Sequence, residues 1–257
     1  FDITQLTVGS ERFDGHGSRR GITIDFGKTD TRIPYQHAAS RADVLGIQFY
    51  QSRLLDDRDW AHWMVGTSWI QMESTRVESG NTLRGHRRGP QLTGYFGFEK
   101  QLTDSTERQF SILGNLDSSV SRIGKMVESG GPEAISLSEQ SVWQLGARFG
   151  VKIKEQYQVK HWRLDPYISA LATVDYRHGS NYSIVERASG HSWRATYTPD
   201  VVTGWDVDLG IHSQSGRSEW RASVTYGSNE IRTRSRLQTT YRRRTQDQSV
   251  LSWSFGQ

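Results

Sequence analysis

The sequence predicts an all-β fold: a transmembrane antiparallel up-and-down β-barrel of about 12 strands, with 14–16 left open. Three observations predict it. Apolar and polar residues alternate with period 2 from end to end, while the 3.6-residue helical period hardly appears. Short and long connections alternate along the chain. The composition is too lean for a thick dry core, with 34% hydrophobic residues, yet it holds 9 Trp and 10 Tyr. If lipid meets one face of each strand and water the other, no such core is required.

The elements follow in order. Two weak segments open the chain, around residues 3–8 and 22–26. Leu45, Ile47 and Phe49 then alternate with Gly46 and Gln48, and Trp63, Val65, Thr67 and Trp69 with Met64, Gly66 and Ser68. Leu92, Gly94, Phe96 and Phe98 follow, then Phe110, Ile112, Gly114 and Leu116. The clearest run is Trp143, Leu145, Ala147, Phe149, Val151 and Ile153, opposed by small or cationic residues. It matches the ~9–11 residues that a tilted membrane strand needs. Later rows are Ile168 to Tyr176, Trp205 to Ile211, Trp220 to Tyr226, and Leu251, Trp253 and Phe255.

Eleven strands emerge, near 2–12, 18–28, 42–52, 60–73, 89–100, 108–120, 139–154, 166–177, 203–213, 219–231 and 246–255. Single-chain bacterial barrels have even strand numbers, so twelve is expected. Short turns are expected near 14–18, 54–59, 101–107, 155–165 and 213–218. Long connections are expected near 28–41, 73–89, 121–139, 178–203 and 227–248. Outer-membrane barrels pair short periplasmic turns with long extracellular loops. The expected domain is 1–257, a single barrel forming the C-terminal part of a larger protein.

Two local patterns resemble bacterial outer-membrane β-barrel proteins. Ser249 to Phe255 is similar to their C-terminal aromatic strand, although Gly256 and Gln257 follow the aromatic. The segment 164–169 is similar to the turn that enters their upward strands. The resemblance implies an integral outer-membrane protein of a Gram-negative cell.

Cysteine is absent, which excludes disulfides, Cys-ligated zinc and thiol catalysis. The 8 His show no ligand spacing, and no glycine loop suits a phosphate, so neither metal nor cofactor is expected. A net charge of +4 does not demand nucleic acid.

Alternation places Arg148, Lys152, Lys154, Asp206, Asp208 and Arg221 on an inner, wet wall. Its cations predict a preference for anions. Arg232, Arg234, Arg236, Arg242, Arg243 and Arg244 are expected in a loop at the extracellular rim, with Arg84, Arg87 and Arg88 in another. There they would meet lipopolysaccharide phosphates or an anionic cargo.

His178-Gly179-Ser180-Asn181 resembles the His-x-Ser-Asn motif of outer-membrane phospholipase A and of the lipid A deacylase. That resemblance implies a His178 that activates Ser180 for lipid hydrolysis. The phospholipase's orienting Asn is replaced by Arg194 after Trp193, and Glu186 lies closer than the deacylase pattern has it. The same four residues are also ordinary loop chemistry.

The leading expectation is therefore a translocation conduit without enzymatic activity. It would be the barrel of a polysaccharide or polymer secretion protein, or an anion-preferring porin. An autotransporter translocator is the alternative, against which stands the lack of a helical segment ahead of the first strand. A lipid hydrolase using His178 and Ser180 is the other. Expected partners are outer-membrane lipid, lipopolysaccharide, the translocated polymer or anionic solute, and a periplasmic domain upstream in the same chain.

Overall fold

A computed structural model describes residues 2–13, 18–33, 37–56, 58–103, 105, 107–229, 233–244 and 249–256. Every regular element among them is a strand. These are β1 (Asp2–Phe13), β2 (Arg19–Ile33), β3 (Ala38–Leu54), β4 (Trp60–Glu78), β5 (Asn81–Gln101) and β6 (Arg108–Ile123). β7 (Met126–Val127) and β8 (Ile135–Leu137) are short, and β9 (Gln140–Glu155) returns to full length. β10 (Tyr157–Val159), β11 (Trp162–Gly179), β12 (Tyr182–Glu186), β13 (Ser192–Ala195) and β14 (Asp200–Ser215) follow. The chain finishes with β15 (Ser218–Asn229), β16 (Thr233–Arg244) and β17 (Ser249–Gly256).

Thirteen strands form one sheet in the order β10-β11-β14-β15-β16-β17-β1-β2-β3-β4-β5-β6-β9, and β9 pairs back onto β11. With β10 set aside as a short arm on β11, the other twelve close into an antiparallel barrel. First and last strands meet at a seam that runs from Gln5–Gly256 to Arg12–Ser249.

The twelfth strand is β16, which lies where a long loop was expected across 227–248. Its outward face carries little apolar signal beyond Leu237, so the alternation is faint. Two other expected long connections also contract. β4 and β5 run on to a tight turn at Ser79–Gly80, where both residues have positive φ (49° and 82°). β2 and β3 extend to the pair Ile33–Ala38.

The two remaining long connections fold into a second, four-stranded sheet in the order β13-β12-β8-β7. Residues 81–90 of β5 overshoot the last β5–β6 pair, Gln91–Ser121, and this sheet docks against them through an Arg84–Ser129 bridge. A small dry core forms there from Leu83, Met126 and Ala134. Glu128 is 3% exposed and is held by a forked pair from Arg76, at 3.0 Å (Nε–Oε1) and 2.9 Å (Nη2–Oε2). Ile135 N–H and the Arg187 guanidinium fasten the same residue, at 2.9–3.0 Å. Gly130 has φ +120°, and a Cβ there would stand 2.1 Å from the Thr82 carbonyl oxygen, so only glycine allows this approach.

Side chains sort by parity. Trp143, Leu145, Phe149, Val151, Ile168, Val174, Trp205, Leu209 and Trp220 all point outward and stand 39–60% exposed. The side chains of Trp253 and Phe255, expected on the same face, lie outside the described residues. Only Leu83, Met126, Ala134 and Val202 are buried apolar residues among those described. A wall with an apolar exterior and no dry apolar interior is stable with lipid outside.

Antiparallel pairing also places the ends. Asp2 and Gly256 lie at the same mouth of the barrel as the four-stranded sheet, and the short turns 55–59, 102–107 and 216–217 lie at the other.

Candidate functional site

The candidate site is the lumen, because the polar faces of the described barrel strands turn toward it. In mid-lumen, Arg148 on β9 is ion-paired with Asp117 of β6. It also reaches Asp175 of β11 at 3.7 Å and Asp206 of β14 at 3.9 Å. Tyr95, Asp117, Arg148, Asp206, Thr225 and Arg236 line a cavity of about 410 Å³. Asp208 accepts a hydrogen bond from Thr225 at 2.8 Å.

Nearer the short turns, Lys152 pairs with Glu99 at 2.8 Å and lies over the Tyr167 ring at 5.5 Å. Lys154 is in register with Tyr167, and Arg221 with His212 and Thr240, on the same inner face. All six residues expected on the inner wall thus face the lumen. The expected cationic character does not follow, since Arg148 and Lys152 are matched by carboxylates from neighbouring strands.

A second cluster, with no counterpart in the sequence reading, lines the short-turn mouth. Glu11 is 1% exposed and accepts a hydrogen bond from Tyr50 at 2.9 Å. Arg19 and Arg242 approach it at 3.8 and 3.9 Å, which is Coulombic range beyond hydrogen bonding. Arg242 continues to Glu219 at 3.5 Å, and His212 joins Glu219 at 3.0 Å to Asp165 at 3.4 Å. Arg163 closes the row on Asp165 at 2.9 Å. Strands β1, β2, β3, β11, β14, β15 and β16 all contribute. Parity could have placed Glu11 on the inner face, but its partners lie too far along the chain to be read.

The rim arginines are relocated. Arg236 and Arg242 belong to β16 and face the lumen, Arg242 at the mouth opposite the four-stranded sheet. Arg243 occupies the same strand on its other face. Arg232 and the side chains of Arg234 and Arg244 lie outside the described residues. Arg84, Arg87 and Arg88 are on β5 rather than in a loop.

His178 and Ser180 form no hydrogen bond with each other among the described residues. His178 packs edge-on to Trp143 and Tyr197, with ring centroids at 6.1 and 6.5 Å. The Ser180 hydroxyl oxygen accepts from the Ser141 N–H at 2.9 Å, and the Ser180 N–H donates to the Ser141 carbonyl at 2.7 Å. Those bonds pin the start of a loop. No group of three metal-ligating side chains occurs among the described residues.

The translocator domain of the autotransporter NalP from Neisseria meningitidis has a similar fold. Its TM-score is 0.66 at 13% identity, over 99% of this chain and 86% of that one. The beta domain of the Bordetella autotransporter BrkA superposes with a TM-score of 0.59 at 8% identity, over 99% of this chain and 96% of that one. No curated protein matches in sequence. The autotransporter beta-domain family model matches residues 1–227. Together with the lipid-facing wall, this makes the protein an integral outer-membrane translocator barrel, as the alternative reading has it, and the chain belongs to the autotransporter beta-domain family.

Proposed function

We propose that the barrel carries a passenger polypeptide, encoded in the same chain, across the outer membrane through the lumen that holds Arg148. The domain 1–257 is then one part of a longer protein, and the cargo is peptide instead of polysaccharide or a free anion. The observation that carries this reading is the inner wall. It presents charged and hydrogen-bonding groups from every side and almost no buried apolar surface. An extended polypeptide can slide along such a wall by exchanging hydrogen bonds, without leaving its own backbone groups unsatisfied. Arg148, Asp206, Asp208 and Arg221 contact the passing chain, while Lys152 and Lys154 narrow the path toward the short turns. No chemistry is assigned to His178, which packs against Trp143 and Tyr197, or to Ser180, which is bonded to Ser141.

The test is a fusion of an unstructured, epitope-tagged segment ahead of residue 1, expressed in a Gram-negative host. The tag should become accessible to protease on intact cells. A correctly inserted, heat-modifiable barrel whose tag stays protected would overturn the proposal.

A further inference from the structure

The outer wall carries a second feature, independent of what passes through the lumen. The apolar rows on β4, β5 and β6 stop at one level. Trp69 is 48% exposed, Leu92 57% and Val120 53%, and each points away from the lumen. Further along the same face, past Pro90, come Arg88 and His86 on β5, and Arg122 follows Val120 on β6. There the chain leaves β6 and turns across the end of β5. The Gly124 N–H donates to the Arg88 carbonyl at 2.9 Å, and the Arg87 guanidinium donates to the Gly124 carbonyl at 3.0 Å. Gly89 permits the approach, because a Cβ there would stand 1.8 Å from the Arg122 carbonyl oxygen. The turn delivers Lys125 to the same place. The result is a pocket of about 590 Å³ with Trp69 in its floor and Arg88, Arg122, Lys125, His86 and Glu139 around it.

Charge in this pocket is unbalanced. Arg122 is paired with Glu139, and His86 stands 3.7 Å from Glu73. Neither Arg88 nor Lys125 has a side-chain partner among the described residues. Three cations, Arg88, Arg122 and Lys125, thus face one carboxylate, Glu139. Arg87 shows the contrast within one dipeptide: its guanidinium is consumed by backbone carbonyls, whereas that of its neighbour is left presented outward.

We propose that this pocket binds the phosphate of a membrane lipid whose acyl chains lie against Trp69, Leu92 and Val120. A forked guanidinium beside an ammonium suits a phosphate's several acceptor oxygens. An indole at the border between apolar and charged surface is the arrangement found at headgroup depth. A soluble anion would use the cations but not the apolar wall below them. The phosphate is supplied by lipid A if this mouth faces outward and by a glycerophospholipid if it faces the periplasm. The identity of the lipid therefore also reports the orientation of the barrel.

The test is native mass spectrometry of the full-length barrel released from neutral detergent, titrated separately with lipid A, phosphatidylglycerol and inorganic phosphate. One of the two lipids should be retained as a stoichiometric adduct, and the double variant Arg88→Gln/Lys125→Gln should weaken that retention about tenfold, near 1.4 kcal/mol. Arg217→Gln, in the turn at the opposite mouth, should retain the lipid like the parent. Equal retention by the double variant would overturn the proposal, as would inorganic phosphate that binds as well as either lipid. Heat-modifiable migration of each variant confirms that its barrel is closed.

Discussion

The two charged regions of the lumen are built on opposite principles. In mid-lumen one guanidinium, Arg148, serves three carboxylates from three strands, and a cavity of about 410 Å³ lies beside them. At the short-turn mouth the single carboxylate of Glu11 is flanked by two guanidinium groups and a phenol. The first arrangement sets carboxylates from three strands against Arg148, with Arg236 across the same open space. The second leaves little charge and little space, and links strands on both sides of the seam. One region sets the potential that a passing chain meets, and the other holds the wall together.

The largest expected effect comes from breaking the mouth cluster. Glu11→Gln removes the charge that Arg19 and Arg242 share in a buried setting and should destabilise the barrel by about 3 kcal/mol. Heat-modifiable migration would then be lost at a clearly lower temperature. A variant that melts with the parent would show that this cluster is not what binds β1 to its neighbours.

A smaller effect is expected in mid-lumen. Arg148→Gln should cost roughly 1–2 kcal/mol, since its partners sit in a wetter space where water replaces part of the loss. Its larger signature is electrical. With only Arg236 left as a cation beside Asp117 and Asp206, planar-bilayer current should become more cation-selective. The change should fade near 1 M salt, where the Debye length is about 3 Å. Unchanged selectivity would mean that ions do not pass this cluster.

The smallest effect sharpens the assignment within the mouth. Tyr50→Phe deletes one hydrogen bond to Glu11 and leaves both cations in place. It should lower stability by about 1 kcal/mol, well short of Glu11→Gln, as read by the same migration assay. Equal losses for the two variants would place the weight on the phenol instead of the charge.

Much of this architecture was legible in the chain. Period 2 placed Trp143, Phe149, Leu209 and Trp220 outside and Arg148, Lys152 and Asp206 inside, because a strand's faces follow from parity alone. β16 was not legible. Its alternation sets Arg236, Gln238, Thr240 and Arg242 against an outer face on which Leu237 and Tyr241 are the only large apolar or aromatic groups among the described residues, so neither face stands out. That miss turned lumen arginines into rim arginines. The pairing of the lumen cations was not legible for a different reason. Parity tells which face a cation occupies but not who stands across from it, and Arg148 finds its partners on β6, β11 and β14. Only closure and register bring those carboxylates together. The four-stranded sheet was hidden likewise, since β7, β8, β12 and β13 are two to five residues long and come from separate connections.

The seam carries a consequence for assembly. Because Gln5 pairs with Gly256, the wall has the longest-range contact a chain of this length can make almost end to end. Such a contact order makes closure late, after the intervening hairpins have formed. Until then β1 and β17 are two bare edges whose amides and carbonyls have no partner, a state that hydrocarbon penalises by several kcal/mol per group. The unclosed sheet is therefore a sticky template for other strands and needs shielding on its way into the bilayer.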